Sequence, residues 1–162
     1  MTGVVPLVRS QVDPRCIVVG ALRDEGCSVS MRDLPTERVA VDLERAAELD
    51  APAGLVGRDT KRCDFLFVAE ENAVGVWAAS LELKGGNLRA SDVAEQLEGG
   101  AAALEKLIPR KQLVRFRPIV ASQRVPKAQR ATFRRQRVRF RGVWHRLVHM
   151  RCQSPLRSVL RS

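Results

Sequence analysis

Two apolar runs separated by a short polar interval dominate the middle of the chain, and they set the expectation for the rest. CDFLFV (63–68) is apolar and aromatic, which suits the pleated, half-buried surface of a strand. VWAASLELK (76–84) predicts a second strand, stopped by Gly85 and Gly86, and EENAVG (70–75) predicts the turn between them. So short a connection pairs the two strands as an antiparallel hairpin. Upstream, RVAVDLE (38–44) alternates, with Val39, Val41 and Leu43 on one face and Ala40, Asp42 and Glu44 on the other. That alternation favours a strand, with a helix running on through ERAAEL as the competing assignment. CIVVGALRDE (16–25) predicts a short helix stopped by Gly26, and residues 50–61, which carry one Pro and two Gly, predict a loop.

Beyond Asn87 the period changes. Val93, Leu97, Ala101, Leu104 and Ile108 recur at helical spacing and predict a helix over 90–107, capped by Ser91 or Asp92 and closed by Pro109. RFRPIVAS (115–122) predicts a strand, KAQRATFRRQ (127–136) a short basic helix, and RVRFRGVWHRLVHMRC (137–152) one or two final strands. This order predicts an α/β fold, a mixed central β-sheet flanked by helices. With 162 residues the chain has room for one domain with its own core and too little for two of ordinary size, so residues 1–162 are expected to form a single domain.

Composition narrows the class. Hydrophobic residues make up 45% and charged residues 28%, a globular balance rather than a disordered one. No apolar run approaches the ~20 residues that cross a bilayer. The opening MTGVVPLVRSQVDPRC lacks the charged start and apolar stretch of a secretion signal, so the expectation is a soluble cytoplasmic protein without a membrane partner. Cys16, Cys27, Cys63 and Cys152 form no Cys-x-x-Cys pair, which argues against structural zinc. They are expected to be small buried hydrophobes.

Charge changes the picture more. Net charge is +10, yet Glu105 is the last acidic residue: residues 106–162 carry 17 Lys and Arg and no Asp or Glu. Residues 1–105 hold 11 basic residues against all 18 acidic ones. So complete a split points to a polyanion bound mainly by the basic C-terminal third, with Arg124, Lys127, Arg130, Arg134 and Arg135 as candidate phosphate contacts. Phe133, Phe140 and Trp144 could stack on bases, but with aromatics at only 4% they are expected in the core. His145 and His149, four apart, would pair on a metal in a helix but are expected as satisfied or solvated side chains.

The hairpin carries candidate chemistry. If its turn centres near Ala73, residues whose numbers sum to 146 face one another, which sets Asp64 against Glu82. Side chains alternate along a strand, so Glu82 and Lys84 share a face and Leu83 points away. Opposed cross-strand Cβ atoms lie about 4.5–5.5 Å apart, which brings two carboxylates and an ammonium together. A hard divalent cation such as magnesium suits such a cluster, because it can polarise a phosphodiester and lower the pKa of a bound water. Lys84 would then orient that water or stabilise charge developing on the phosphate.

Asp64, seventeen intervening residues, then Glu82-Leu83-Lys84 resembles the signature of the PD-(D/E)XK, or restriction-endonuclease-like, nuclease superfamily. The similarity runs from about residue 38 to 122. It implies a restriction-endonuclease-like fold in which Asp64 and Glu82 are metal ligands, Leu83 contributes its backbone carbonyl and Lys84 is catalytic. It also implies a supporting helix after the Glu-x-Lys strand, with Gln96 on or beside its inward face. Cys63 stands where the family name has Pro. The family usually adds an acid from an earlier element, for which Glu25, Asp42 and Glu44 are the candidates.

The expected function is therefore a Mg2+- or Mn2+-dependent nuclease acting on nucleic acid, DNA ahead of RNA. A non-catalytic nucleic-acid-binding module of the same fold is the alternative, and a basic protein that binds RNA or an acidic protein is a third. A domain of this size often works as a homodimer or beside a partner subunit, although no patch in the sequence marks such an interface.

Overall fold

The computed structural model describes residues 3–57, 59–72 and 75–160. In chain order the elements are α1 (Val4–Gln11), β1 (Ile17–Val18), β2 (Leu22–Asp24), β3 (Cys27–Val29), β4 (Arg38–Asp42), α2 (Leu43–Leu49), β5 (Phe65–Glu71) and β6 (Gly75–Lys84). They continue with α3 (Ala90–Leu107), β7 (Val114–Ser122), α4 (Arg130–Arg135), β8 (Arg137–Phe140), β9 (Val143–Arg146), β10 (Val148–Arg151) and α5 (Arg157–Leu160). Six strands form one mixed sheet in the order β1-β4-β5-β6-β7-β10. The β1/β4, β4/β5 and β5/β6 pairs are antiparallel, whereas β6/β7 and β7/β10 are parallel. The chain is thus α/β, with helices flanking a six-stranded mixed sheet.

Central strands lose the alternation that marks a half-solvated sheet, because both faces are covered. Every residue of β6 from Val76 to Leu83 is buried. On one face Leu66, Val68, Val76 and Ala78 pack with α1, α2 and the apolar side of α3, where Val93, Leu97, Ala101, Leu104 and Ile108 are all buried as their spacing requires. On the other, Phe65, Phe67, Leu81, Leu83 and Ile119 meet Leu22, Cys27 and Val29 of the β2–β3 hairpin and Leu156 and Leu160 at the C-terminal end. Among the described residues, no helix is long and apolar enough to cross a membrane.

Several expectations need correction. Residues 16–25 are not a helix: β1 and β2 lie there, and β2 turns into β3 at Glu25 and Gly26. Both turn residues have positive φ, 50° and 77°, the pattern of a tight hairpin turn, so Gly26 supplies the turn rather than a helix stop. The 38–49 stretch uses both competing assignments. Arg38–Asp42 is strand, and Asp42 then caps α2 by accepting a hydrogen bond from the Arg45 N–H at 3.0 Å. Residues 70 and 71, assigned to the turn, extend β5, while Ala73 itself lies outside the described residues.

Helix α3 starts at Ala90 without the expected Ser91 or Asp92 cap. Its first free N–H, on Ala90, donates instead to Gln129 Oε1 at 2.9 Å, a partner 39 residues away that local sequence cannot reveal. The short basic helix arrives as a 3-10 turn, Lys127–Gln129, followed by α4. Residues 137–152 hold three strands rather than one or two, because Arg141 and Gly142, both at positive φ, fold β8 and β9 into a separate hairpin. Cysteine usage also departs from expectation. Cys16 and Cys63 are free and buried, but Cys27 and Cys152 form a disulfide that ties the β2–β3 hairpin to the end of β10.

Helix α3 packs tightly at Gly99 and Gly100 against the sheet and the segment leading into β5. A Cβ on Gly100 would stand 2.3 Å from Cys63 Sγ and 2.8 Å from Ser80 Cβ, and one on Gly99 would meet the Lys61 carbonyl at 1.9 Å. In an exposed helix Gly→Ala stabilises by up to about 1 kcal/mol. Here overpacking reverses the sign, and Gly100→Ala is expected to destabilise by about 1–3 kcal/mol in urea unfolding.

Candidate active site

Pairing between β5 and β6 runs from Phe65 opposite Leu81 to Glu71 opposite Gly75, the register the hairpin geometry predicts. Asp64 therefore stands across from Glu82, just ahead of the first strand pair. Two backbone contacts fix the arrangement: the Asp64 N–H donates to Glu82 Oε1 at 3.1 Å, and the Leu83 N–H donates to Asp64 Oδ2 at 2.8 Å. The Asp64 carbonyl accepts from the Leu43 N–H at 3.0 Å, so the start of α2 holds the residue from behind. Leu83 packs into the opposite core, which leaves Glu82 and Lys84 together on the α3 side.

Electrostatics here are dominated by burial. Glu82 is only 1% exposed, and Lys84, partly exposed, places Nζ 3.4 Å from Glu82 Oε2. Burial pushes the Asp64 carboxyl up to about 9, reinforced by its hydrogen bond to Glu82 and by the negative charge of Glu82. Burial also raises Glu82, against the opposing pull of Asp64 and Lys84. Two acids share this site with one ammonium, and the pair holds a proton at neutral pH when nothing else neutralises it. The Cys63 thiol beside them is pushed up by burial and by Glu82, which keeps it protonated.

A pocket of about 260 Å³, lined by Lys61, Arg62, Lys84, Asp92 and Gln96, opens beside the Lys84 end of the site. Gln96 is thus brought to Lys84, and its Oε1 is buried without a hydrogen-bond partner. Lys61 is paired with Asp92 at 3.2 Å and Glu95 at 2.9 Å, and Arg62 with Glu44 at 2.9 Å.

None of the three upstream acids joins the pair. Asp42 is engaged as the α2 cap, Glu44 holds Arg62, and Glu25 forms the β2–β3 turn with its backbone carbonyl against Gly85. Asp24, beside that turn, adds negative charge to the surroundings of Asp64. No sequence signal points to Asp24, because its segment reads as helical. Among the described residues, no group of three or more His, Cys, Asp or Glu side chains is placed to hold a metal. The donors that do converge are carboxylate oxygens that, once both acids are ionised, carry more negative charge than Lys84 offsets. That chemistry fits a hard divalent cation completed by waters and phosphate oxygens.

The C-terminal ends of the parallel strands β6, β7 and β10 lie side by side, with Lys84 in register with Ser122 and Ser122 with Arg151. One strand over from Lys84, a groove of about 440 Å³ is lined by Arg124, Arg130 and Arg134 of the predicted set, together with Arg151, Phe133 and His149. Lys127 and Arg135 are exposed outside that lining. Among the described residues, none of the five makes an ion pair with a carboxylate.

Other arginines of the stretch have structural work. Arg141 donates to the Gln112 carbonyl and, at 2.7 Å, to that of Pro109, while Arg137 donates to the Arg134 carbonyl at 2.6 Å. Phe140 is core as expected and Phe133 partly buried, but Trp144 is 60% exposed on β9 under the Arg139 guanidinium. His149 is satisfied by Ser122 Oγ at 2.9 Å, and His145 packs edge-on against Phe116.

Comparison with protein-family models, with curated proteins and with solved structures gives no match to this chain.

The acid pair has a thermodynamic signature. Asp64 titrates near 9 in the folded state against an ordinary value of 3.8, so the folded state binds the extra proton and stability falls as pH rises between those values. In EDTA at pH 8, Glu82→Gln is therefore expected to raise stability by about 1 kcal/mol, a Tm gain of about 2–4 °C, with the difference fading toward pH 4. Thermal melts across that pH range measure it.

Proposed function

We propose that this chain is a metal-dependent nuclease that hydrolyses phosphodiester bonds in nucleic acid, with DNA the preferred substrate, on a restriction-endonuclease-like version of its α/β fold. The observation that carries this reading is the buried Asp64–Glu82 pair with Lys84 at the mouth of a solvent-accessible pocket. Burying two carboxylates against one ammonium destabilises the fold, and strongly displaced carboxyl pKa values concentrate at functional sites. The resemblance of Asp64 and Glu82-Leu83-Lys84 to the PD-(D/E)XK signature supports the same reading, as does the mixed sheet with a helix after the Glu-x-Lys strand.

In this mechanism Asp64, Glu82 and the Leu83 carbonyl would hold a Mg2+ or Mn2+ ion. Bound there, the ion would polarise the phosphodiester and lower the pKa of its water. Lys84 stands at the accessible end of the strand, where its ammonium orients the attacking water or stabilises charge building on the phosphate. Gln96 lines the same pocket, with its Oε1 buried and without a hydrogen-bond partner. Arg124, Arg130, Arg134, Lys127 and Arg135 supply affinity for the phosphate backbone without reading sequence.

A second reading, a nucleic-acid-binding module without catalysis, draws support from one feature: each carboxylate already accepts a backbone hydrogen bond, and no third acid completes the group among the described residues. Incubating linear, single-stranded and branched substrates with the protein in Mg2+ or Mn2+, with EDTA and Glu82→Ala as controls, separates the two. Metal-dependent cutting lost in the variant supports the nuclease; tight binding without turnover supports the module.

Two outcomes follow from the division of labour. Lys84→Ala should lower the cleavage rate by about 10²-fold or more while leaving most of the binding measured in EDTA. Neutralising Arg134 and Arg135 together should weaken binding and reduce the slope of log K against log salt by about one unit per residue. A titration of affinity against salt reads this directly, and an unchanged slope would show that these residues do not touch phosphate.

A further inference from the structure

The groove beyond Ser122 has a composition that backbone contacts alone do not explain. Four guanidinium groups, those of Arg124, Arg130, Arg134 and Arg151, border it, and among the described residues none is paired with a carboxylate. Phe133 and His149 line the same open groove, their rings edge to face with centroids 6.4 Å apart. His149 is held in place by Ser122 Oγ, and burial lowers its pKa, so its ring is neutral around neutral pH. Fixed positive charge thus surrounds a corner made of two flat, uncharged rings. A phosphate track needs only the charge; the rings call for something flat.

We propose that this pocket accepts an unpaired nucleotide, its base against Phe133 and His149 and its phosphates between the arginines, so that the substrate is nucleic acid with a single-stranded segment beside the cleavage site. The inference rests on nucleic acid being the partner, and extends that reading by naming the strandedness and the residues that select it. The volume, about 440 Å³, falls within the roughly 300–1,000 Å³ of pockets that take compact ligands. In a duplex the base faces are stacked and only their edges meet the grooves, so an aromatic-lined pocket cannot be filled without unpairing. A single strand presents its bases freely, and every base has a face that can stack. Ser122 lies in register with Lys84 on the adjacent strand and bonds to His149, so the nucleotide would sit one strand away from the cleavage site.

The test measures binding apart from cleavage, using the full chain carrying Lys84→Ala in EDTA, with fluorescein-labelled oligothymidylate and a blunt duplex of equal length as probes. Single-strand binding at least about tenfold tighter than duplex binding is expected. Phe133→Leu should weaken the single strand by about 5–100-fold, the loss of one base stack, and leave the duplex nearly unchanged. Because Phe133 also contacts the core, Arg151→Ala provides a surface variant, expected to reduce the single-strand preference while its thermal melt matches the parent. A 2-aminopurine in the oligonucleotide reads stacking directly: its fluorescence should be quenched on binding by the parent and less so by Phe133→Leu. Equal affinity for both probes, or variants that weaken both equally, would overturn the pocket assignment. Cleavage failing while this preference holds would count against the nuclease alone.

Discussion

The pairing register of β5 and β6 is the constraint on which the rest of the molecule depends. Side chains on a strand alternate with a period of two, so a slip of one residue would exchange the faces of every position. Glu82 would enter the core now filled by Leu83, and Asp64 would lose its place opposite it. Burial on both faces forbids that slip, because Leu66, Val68 and Ala78 on one side and Phe67, Leu81 and Leu83 on the other belong to separate apolar clusters. Hydrophobic packing over the length of the hairpin thus fixes the position of an acid pair that is itself unfavourable. The site is held by contacts that have nothing to do with its chemistry.

What could be foreseen divides along the same line. The hairpin register, the face shared by Glu82 and Lys84 and the apolar stripe of α3 were legible, because all three follow from periodicity and a short connection. Features that depend on remote partners were not. The α3 N-terminus is completed by Gln129, the β2–β3 turn brings Asp24 toward Asp64, and Cys27 finds Cys152 across 125 positions. Ile17, Val18 and Val19 in segment 16–25 are β-branched, a signal for strand that outweighs the apparent helix stop at Gly26. Trp144, expected in the core, is carried outward by the β8–β9 hairpin.

The basic C-terminal third performs two kinds of work that composition cannot separate. Arg137 and Arg141 spend their donors on backbone carbonyls, closing the loop after α3 and the start of β8. Arg124, Arg130, Arg134 and Arg151 have no carboxylate to answer and border an open groove. A run without acids is thus partly scaffold and partly available charge, and only hydrogen-bond partners distinguish the two.

The Cys27–Cys152 bond joins a point near the start of the chain to one near its end, and the whole central sheet except β1 lies within the loop it closes. A protease that cuts anywhere inside that loop yields two pieces that remain one molecule. Where the cut falls between Lys84 and Gln123, the acidic half bearing Asp64 and Glu82 and the arginine-bordered groove would part only on reduction. A nicked chain would migrate intact on a non-reducing gel and split into fragments once thiol is added.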